Sequence, residues 1–184
     1  MTEKKDLELV EAFKNGDVAG FNGLVRRYQE RLYWIARRIV GTHQDADDAV
    51  QDIFIRVYEG LKDFRGDSNL YTWLYRIAVN VSLNAIRKKR IKEFIPYDDI
   101  LAEILPGDSR TDEPVLRQEF QTILEKAIAE LPPKQKAVFS MRYFDELTFE
   151  DMANILNKSV GGTKANYFHA LQKISKVVRK ETNQ

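Results

Sequence analysis

Residues 68–90 read SNLYTWLYRIAVNVSLNAIRKKR. The polar side chains of this stretch have one chemistry in common, the binding of nucleic acid. Cations neutralise phosphates, an amide can read a base edge, and an exposed indole can stack on an unpaired base. At 100° per residue, Leu70, Leu74, Ile77, Ala78, Val81 and Ala85 gather on one side of a helix as a core stripe. Thr72, Trp73, Arg76, Asn80, Leu83, Arg87 and Arg90 occupy the opposite third. Stacking contributes about 1–3 kcal/mol per base, comparable with the cost of pulling a base from a duplex. The polar loop DFRGDSN at 63–69 precedes this helix and is expected to wall a pocket for such a base. The competing reading is an ordinary helix, with Trp73 at the core edge and the cations as a solvated face.

A second set is acidic. Over QDADDAVQDIFIRVYEG at 44–60, Ala46, Ala49, Val50, Ile53 and Val57 form the expected buried face. Asp45, Asp48, Asp52 and Glu59 fall on one stripe bordered by Gln51 and Ile55. The early aspartates also suit a helix N-terminus, whose dipole favours negative charge. A carboxylate stripe repels DNA, so it is expected to face away from nucleic acid and to suit a basic protein helix. A straight stripe does not wrap a cation, so no metal site is expected. His43 and His169 are the only histidines and lie in different halves of the chain.

A third set is LTFEDMANILNKSVGGTKANYFHALQKISKVV, a short helix, a tight turn and a longer helix. Thr148 is placed to cap the first helix, with Asp151 three residues on. Gly161 and Gly162 are expected to loosen the chain before Thr163 restarts it. Tyr167, Ala170, Leu171, Ile174, Val177 and Val178 read as the packed face. Lys164, Ala165, Phe168, His169, Gln172 and Lys176 look outward, with Asn166 and Lys173 at the flank. That pattern suits a recognition helix in a major groove, or an ordinary helical hairpin.

These sets need helices to position them, and helical periodicity runs throughout while strand signals are nearly absent. Helices are predicted at about 6–15, 18–40, 44–60, 70–92, 114–130, 134–144, 148–157 and 162–181. Gly16 and Gly41 read as C-terminal caps, Asp17 as an N-cap and Pro114 as a first-turn proline. Gly20 and Gly23 weaken the second helix, by about 1 kcal/mol each in an exposed helix interior. Residues 93–114 hold three prolines, one glycine and seven acids against one cation, so they read as an acidic, extended linker. Its apolar Ile95, Tyr97, Ile100, Leu101, Ile104 and Leu105 are expected to lie along a surface. The fold class is all-α, with two small helical domains at 1–92 and 114–184 joined by the linker at 93–113.

The 184 residues are 43% hydrophobic and 31% charged, which excludes a disordered chain. No apolar run approaches a bilayer span, and MTEKKDLELV lacks the apolar core of a signal peptide. With no cysteine, disulfides and thiolate zinc sites are excluded, and a cytoplasmic location is expected. Net charge is +1, arising from a mildly basic block on each side of the acidic strip. A free-standing DNA-binding protein normally carries a strongly basic domain, so this chain is expected to bind DNA weakly alone. No nucleophile–base pair, phosphate-cradling glycine loop or cofactor motif is evident, so no enzyme is expected. A stand-alone helix-turn-helix regulator is the alternative, but it gives the Trp73–Arg87 face and the acidic stripe no role.

Three stretches in order, DADDAVQDIFIRVY, SNLYTWLYRIAVNVSLNAIRKKR and LPPKQKAVFSMRYFDELTFEDMANILNKSVGGTKANYFHALQKI, carry a resemblance over nearly the whole chain. The chain resembles the extracytoplasmic function (ECF, group IV) sigma factors of bacterial RNA polymerase. The resemblance implies that the N-terminal domain is sigma region 2. Asp45, Asp48, Gln51, Asp52 and Ile55 would then dock on the clamp helices of the polymerase β′ subunit. Arg65, Asp67, Ser68 and Asn69 of the loop, with Trp73, Arg76, Asn80, Asn84, Arg87 and Lys88, would melt and read the −10 element and capture a flipped base. The C-terminal domain would be region 4, contacting the β flap. There Thr163, Lys164, Asn166, Phe168, His169, Gln172 and Lys173 would read the −35 element. The linker would thread the channel region where nascent RNA passes, and a separate anti-sigma factor would regulate the chain. Asn166, His169 and Leu171 stand where family members commonly carry arginines, which implies weaker or altered −35 recognition. Gly161-Gly162-Thr163 also departs from the usual single Gly-Thr pair.

Overall fold

Gly16, at φ +94°, ends the first helix, and the Asp17 carboxylate accepts the Ala19 N–H at 2.8 Å to start the second. A computed structural model of the protein describes residues 2–93 and 115–182, with side chains described for 4–89 and 120–181. The helices are α1 (Thr2–Lys14), α2 (Val18–Val40), α3 (His43–Gly60) and α4 (Leu70–Glu93), with a 3₁₀ turn at Leu61–Asp63 before α4. There follow α5 (Val115–Ala129), α6 (Pro133–Tyr143), α7 (Phe149–Leu156) and α8 (Val160–Thr182). No strand occurs among the described residues. The all-α expectation and its eight helices are met. Pro114 and the linker stretch after Glu93 lie outside the described residues. The chain forms two compact units, residues 1–85 and 86–184, described separately below.

Gly20 and Gly23 are where the propensity argument needs revision. A Cβ on Gly20 would lie 2.4 Å from the Leu9 carbonyl oxygen and 2.8 Å from the Phe13 nitrogen. On Gly23 it would lie 2.8 Å from Leu9 Cδ2. These glycines allow α1 and α2 to cross almost backbone to backbone, and that packing outweighs their poor helix propensity. Asp6 of α1 is only 4% exposed. It accepts a 2.6 Å hydrogen bond from the Tyr28 hydroxyl and pairs with Arg27 at 3.1 Å, tying α1 to α2. Burial, and then the bond to Asp6, hold the Tyr28 phenol well above the ordinary tyrosine range.

The buried faces of α2 and α3 supply Leu24, Tyr28, Leu32, Ile35, Ile39, Ala46, Ala49, Ile53 and Val57. On α4 the core is broader than the stripe read from the sequence. Leu70, Leu74, Ala78 and Val81 are buried as expected, but Tyr75, Val79 and Ser82 are buried too. Ser82 donates to the Ala78 carbonyl at 2.8 Å, which satisfies its hydroxyl within the helix. Half of the α4 circumference is therefore packed.

In the second unit Ala127, Leu131, Phe139, Ala170 and Ile174 form one core cluster, bordered by Leu124, Ile128, Tyr167, Val177 and Val178, and Val138, Met141, Met152 and Ile155 of α6 and α7 are buried as well. Thr148 caps α7 reciprocally: its hydroxyl donates to the Asp151 carboxylate at 2.7 Å and accepts the Asp151 N–H at 3.1 Å. Asn157, in the left-handed conformation at φ 51°, ψ 54°, closes α7. Ser159 then starts α8, accepting the Gly162 N–H on its hydroxyl and the Thr163 N–H on its carbonyl. The turn is thus Asn157–Ser159, and Gly161 and Gly162 lie inside the first turn of α8 rather than ahead of it.

Candidate functional site

Three helical faces hold the residues of interest. On α3, Asp48, Gln51, Asp52 and Glu59 are exposed, and Ile55 stands 56% exposed among them. Asp45 is different. Its carboxylate accepts the Thr42 hydroxyl at 2.7 Å while its N–H donates to the same oxygen at 3.1 Å, so it closes the start of α3. The free part of the ridge therefore begins one turn later. Exposed carboxylates around an exposed isoleucine form a surface with a charged rim and an apolar centre, suited to a basic helix carrying its own apolar residues.

On α4, Arg76, Asn80, Asn84, Arg87 and Lys88 are exposed along one side. Trp73 is half-buried rather than free. Its ring packs 5.3 Å from that of Phe64, and a Cβ on Gly60 would come within 3.1 Å of its six-membered ring. Glycine at the end of α3 lets the indole lie close against that backbone. Trp73 is thus a fixed wall beside the cationic face, and the core-edge reading holds for one side of its ring. The preceding loop exposes Arg65, Asp67 and Asn69, with Ser68 half-buried and Gly66 at φ +79°. Asn69 caps α4, its side-chain oxygen accepting the Tyr71 N–H at 2.7 Å. On the packed side, Tyr71 stacks on Tyr28, and the Arg31 guanidinium lies 5.9 Å from the Tyr71 ring centre.

On α8, Lys164, Phe168, His169, Gln172 and Lys173 are exposed. The Lys164 ammonium lies 5.5 Å from the Phe149 ring centre of α7, and Asn166 donates to the Gly162 carbonyl at 2.9 Å. Two sequence expectations change here. Thr163 is 1% exposed and its hydroxyl donates to the Ser159 carbonyl, so its side chain belongs to the packed start of α8 and not to its exposed face. Leu171, read as packed, is 40% exposed and shares its side of α8 with Phe168. Residue 171 lies about 80° round the helix from buried Thr163, just beyond the edge of the seam, where spacing alone is ambiguous.

Sequence reasoning missed Asp6, Tyr28 and Lys14, whose partners lie far off in the chain. It also missed Ser159 as a cap, although a serine two residues after a helix-ending asparagine is a legible signal. Among the described residues no group of three His, Cys, Asp or Glu side chains could hold a metal, and no helix is long and apolar enough to cross a membrane.

All three faces belong to segments that match known families. Residues 24–91 match sigma-70 region 2, and residues 121–174 match sigma-70 region 4. The molecule is thus built from the two helical modules of a sigma-70-type transcription factor. The RNA polymerase sigma-H factor of Pseudomonas aeruginosa is 32% identical, over 97% of this chain and 96% of that protein. The ECF RNA polymerase sigma-E factor of Haemophilus influenzae is 35% identical, over 95% of each chain. The fold is similar to that of the sigma factor RpoE of Bartonella quintana, solved with the anti-sigma factor NepR, with a TM-score of 0.68 and 19% identity over 86% of this chain and 96% of that one. The chain belongs to the ECF sigma factors. As such it binds core RNA polymerase and directs promoter-specific initiation of transcription, and sigma factors are not themselves enzymes.

Proposed function

We propose that the work of initiation is divided among the three faces. The α3 ridge of Asp48, Gln51, Asp52 and Ile55, with Asp45 at its capped end, docks on the β′ clamp helices. The 63–69 loop and Trp73, Arg76, Asn80, Asn84, Arg87 and Lys88 open and read the −10 element. Lys164, Asn166, Phe168, His169, Gln172 and Lys173 of α8 meet the −35 element as duplex, with the rest of that unit near the β flap. In this scheme residues 1–92 act as region 2, 93–113 as the linker along the RNA path, and 114–184 as region 4. The work takes place in the cytoplasm, under a separate anti-sigma factor of the kind that accompanies RpoE in its solved complex.

The observation that carries the reading is the separation of sign in the first unit. The exposed ridge of α3 is carboxylate around an isoleucine, with Arg56 at its border, while that of α4 is guanidinium and amide beside a fixed indole. A carboxylate ridge is repelled by phosphates, whereas the cations exposed along α4 attract them.

Two double substitutions separate the roles. Asp48→Arg with Asp52→Arg is expected to weaken core-polymerase binding by on the order of a hundredfold at unchanged melting temperature. Unchanged co-purification with core enzyme would end the docking assignment. Trp73→Ala with Asn80→Ala should leave core binding intact and abolish promoter opening, read as permanganate reactivity of thymines. Normal reactivity would remove α4 from the melting step.

A further inference from the structure

The sigma-70 region 2 match begins at residue 24, yet α1, at Thr2–Lys14, reaches into the loop before α4. The ammonium of Lys14, on the last residue of α1, donates to the Phe64 carbonyl at 2.8 Å across 50 residues of sequence. Phe64 directly follows the 3₁₀ turn and opens the exposed stretch of the loop. Its buried ring is also the one packed on Trp73. One charge-assisted bond therefore fixes the peptide from which both the loop path and one wall of the indole depart. At the far end the loop is fixed by Asn69, which caps α4. Between the two anchors, Arg65, Gly66 and Asp67 are exposed.

The helix supplying Lys14 is itself rigidly held. Gly20 lets the backbone of α2 meet Leu9 and Phe13, and Asp6 is bound by Tyr28 and Arg27. Glu11, 3.4 Å from the Lys14 ammonium, steadies it from within α1. A bond anchored on a loose helix would transmit no constraint, whereas this one is anchored on a crossing where Gly20 brings two backbones together.

We propose that α1 is a brace for strand capture and that Lys14 is a positioning residue, holding the 63–69 loop and Trp73 in the geometry that receives an unpaired base. The inference rests on the assignment of that loop and Trp73 to base capture. A lysine that only stabilised the fold would weaken every complex alike. A brace must instead change how much a captured base contributes.

The test uses holoenzyme and a mapped promoter. Non-template-strand −10 oligonucleotides, each with one abasic site in turn, are bound to wild type, Lys14→Met and Lys14→Arg. Wild type should lose about tenfold in affinity at one position, the loss expected for one stacked base. Lys14→Arg, which keeps a charged donor, should keep that loss. Lys14→Met should bind the intact strand about tenfold more weakly, and removing the same base should then change its affinity less than about twofold. If Lys14→Met weakens intact and abasic strands by the same factor, the brace is disproved while base capture stands. If no abasic position affects wild type, base capture itself falls, and the brace with it. Lys14→Gln, with a shorter neutral donor, serves if Lys14→Met does not fold, with the same loss of discrimination expected.

Discussion

Thr42 and Asp45 close the start of α3 with contacts of 2.7 and 3.1 Å, and Thr148 and Asp151 close α7 with the same pair of distances. Beyond this shared device the two units part. The first buries half the circumference of α4, locks α1 to α2 through glycines and a buried carboxylate, and fixes its indole between Phe64 and Gly60. The second packs α8 on a core cluster of Ala127, Leu131, Phe139, Ala170 and Ile174, and leaves Phe168 and Leu171 exposed on one side of that helix. In the proposed division of roles, the first unit's surface would receive a flexible single strand and supply the order itself, whereas α8 would dock on a duplex that is already rigid.

That contrast can be broken at several points. The largest effect is expected at the α1–α2 crossing. Gly20→Ala should destabilise the first unit by about 3 kcal/mol, because the clash is with backbone that cannot rotate away. Both tryptophans, Trp34 and Trp73, lie in that unit, so fluorescence melting reports it alone. A melting curve that shifts only in helical circular dichroism would mean that the second unit depends on this crossing.

Tyr28→Phe should cost about 2 kcal/mol at pH 8, through loss of the bond to the buried Asp6 carboxylate. The Tyr28 contribution has a defined pH dependence, because its pKa is raised in the folded state. Its stabilisation is full below pH of about 10, the unfolded phenol value, and is lost as pH rises from there towards the folded pKa. Wild type and Tyr28→Phe should therefore converge above that pH in denaturant titrations. A constant gap would mean that the phenol is not held protonated.

The smallest effect belongs to the second unit. Leu171→Arg adds a cation at an exposed position of α8 without disturbing its core. It should tighten binding of the holoenzyme to duplex −35 DNA a few-fold and steepen the dependence of log K on log salt by about 0.9. An unchanged slope would place residue 171 away from phosphate.

Eight helices and most of their ends were legible because their signals are local. Gly16, Gly41, Asp17 and Thr148 act within one turn of their own position, and each does what its type implies. The acidic ridge and the cationic face were legible for a related reason, since charge excluded from a core must appear at the spacing of a helical face. The less legible residues sit at the margins of such faces. Thr163 turned inward and Leu171 outward, and Tyr75, Val79 and Ser82 widened the core of α4. A periodicity of 3.6 gives the direction of a stripe but not its width, which depends on how many neighbours surround the helix.

The amino-acid order by itself thus determined an all-helical chain, the helix ends, and which charges share a face, because each of these is settled within a few residues by backbone geometry and solvation. Only the tertiary structure decided that Gly20 is a crossing point, that Asp6 is buried with Tyr28, that Gly60 makes room for Trp73, and that Lys14 holds the carbonyl of Phe64. The partners are 7 to 50 residues apart by their numbering and sit on different elements, so helical spacing carries no information about them. What joins them is the packing of whole helices, in which a missing Cβ or one buried hydrogen bond sets how closely two backbones approach.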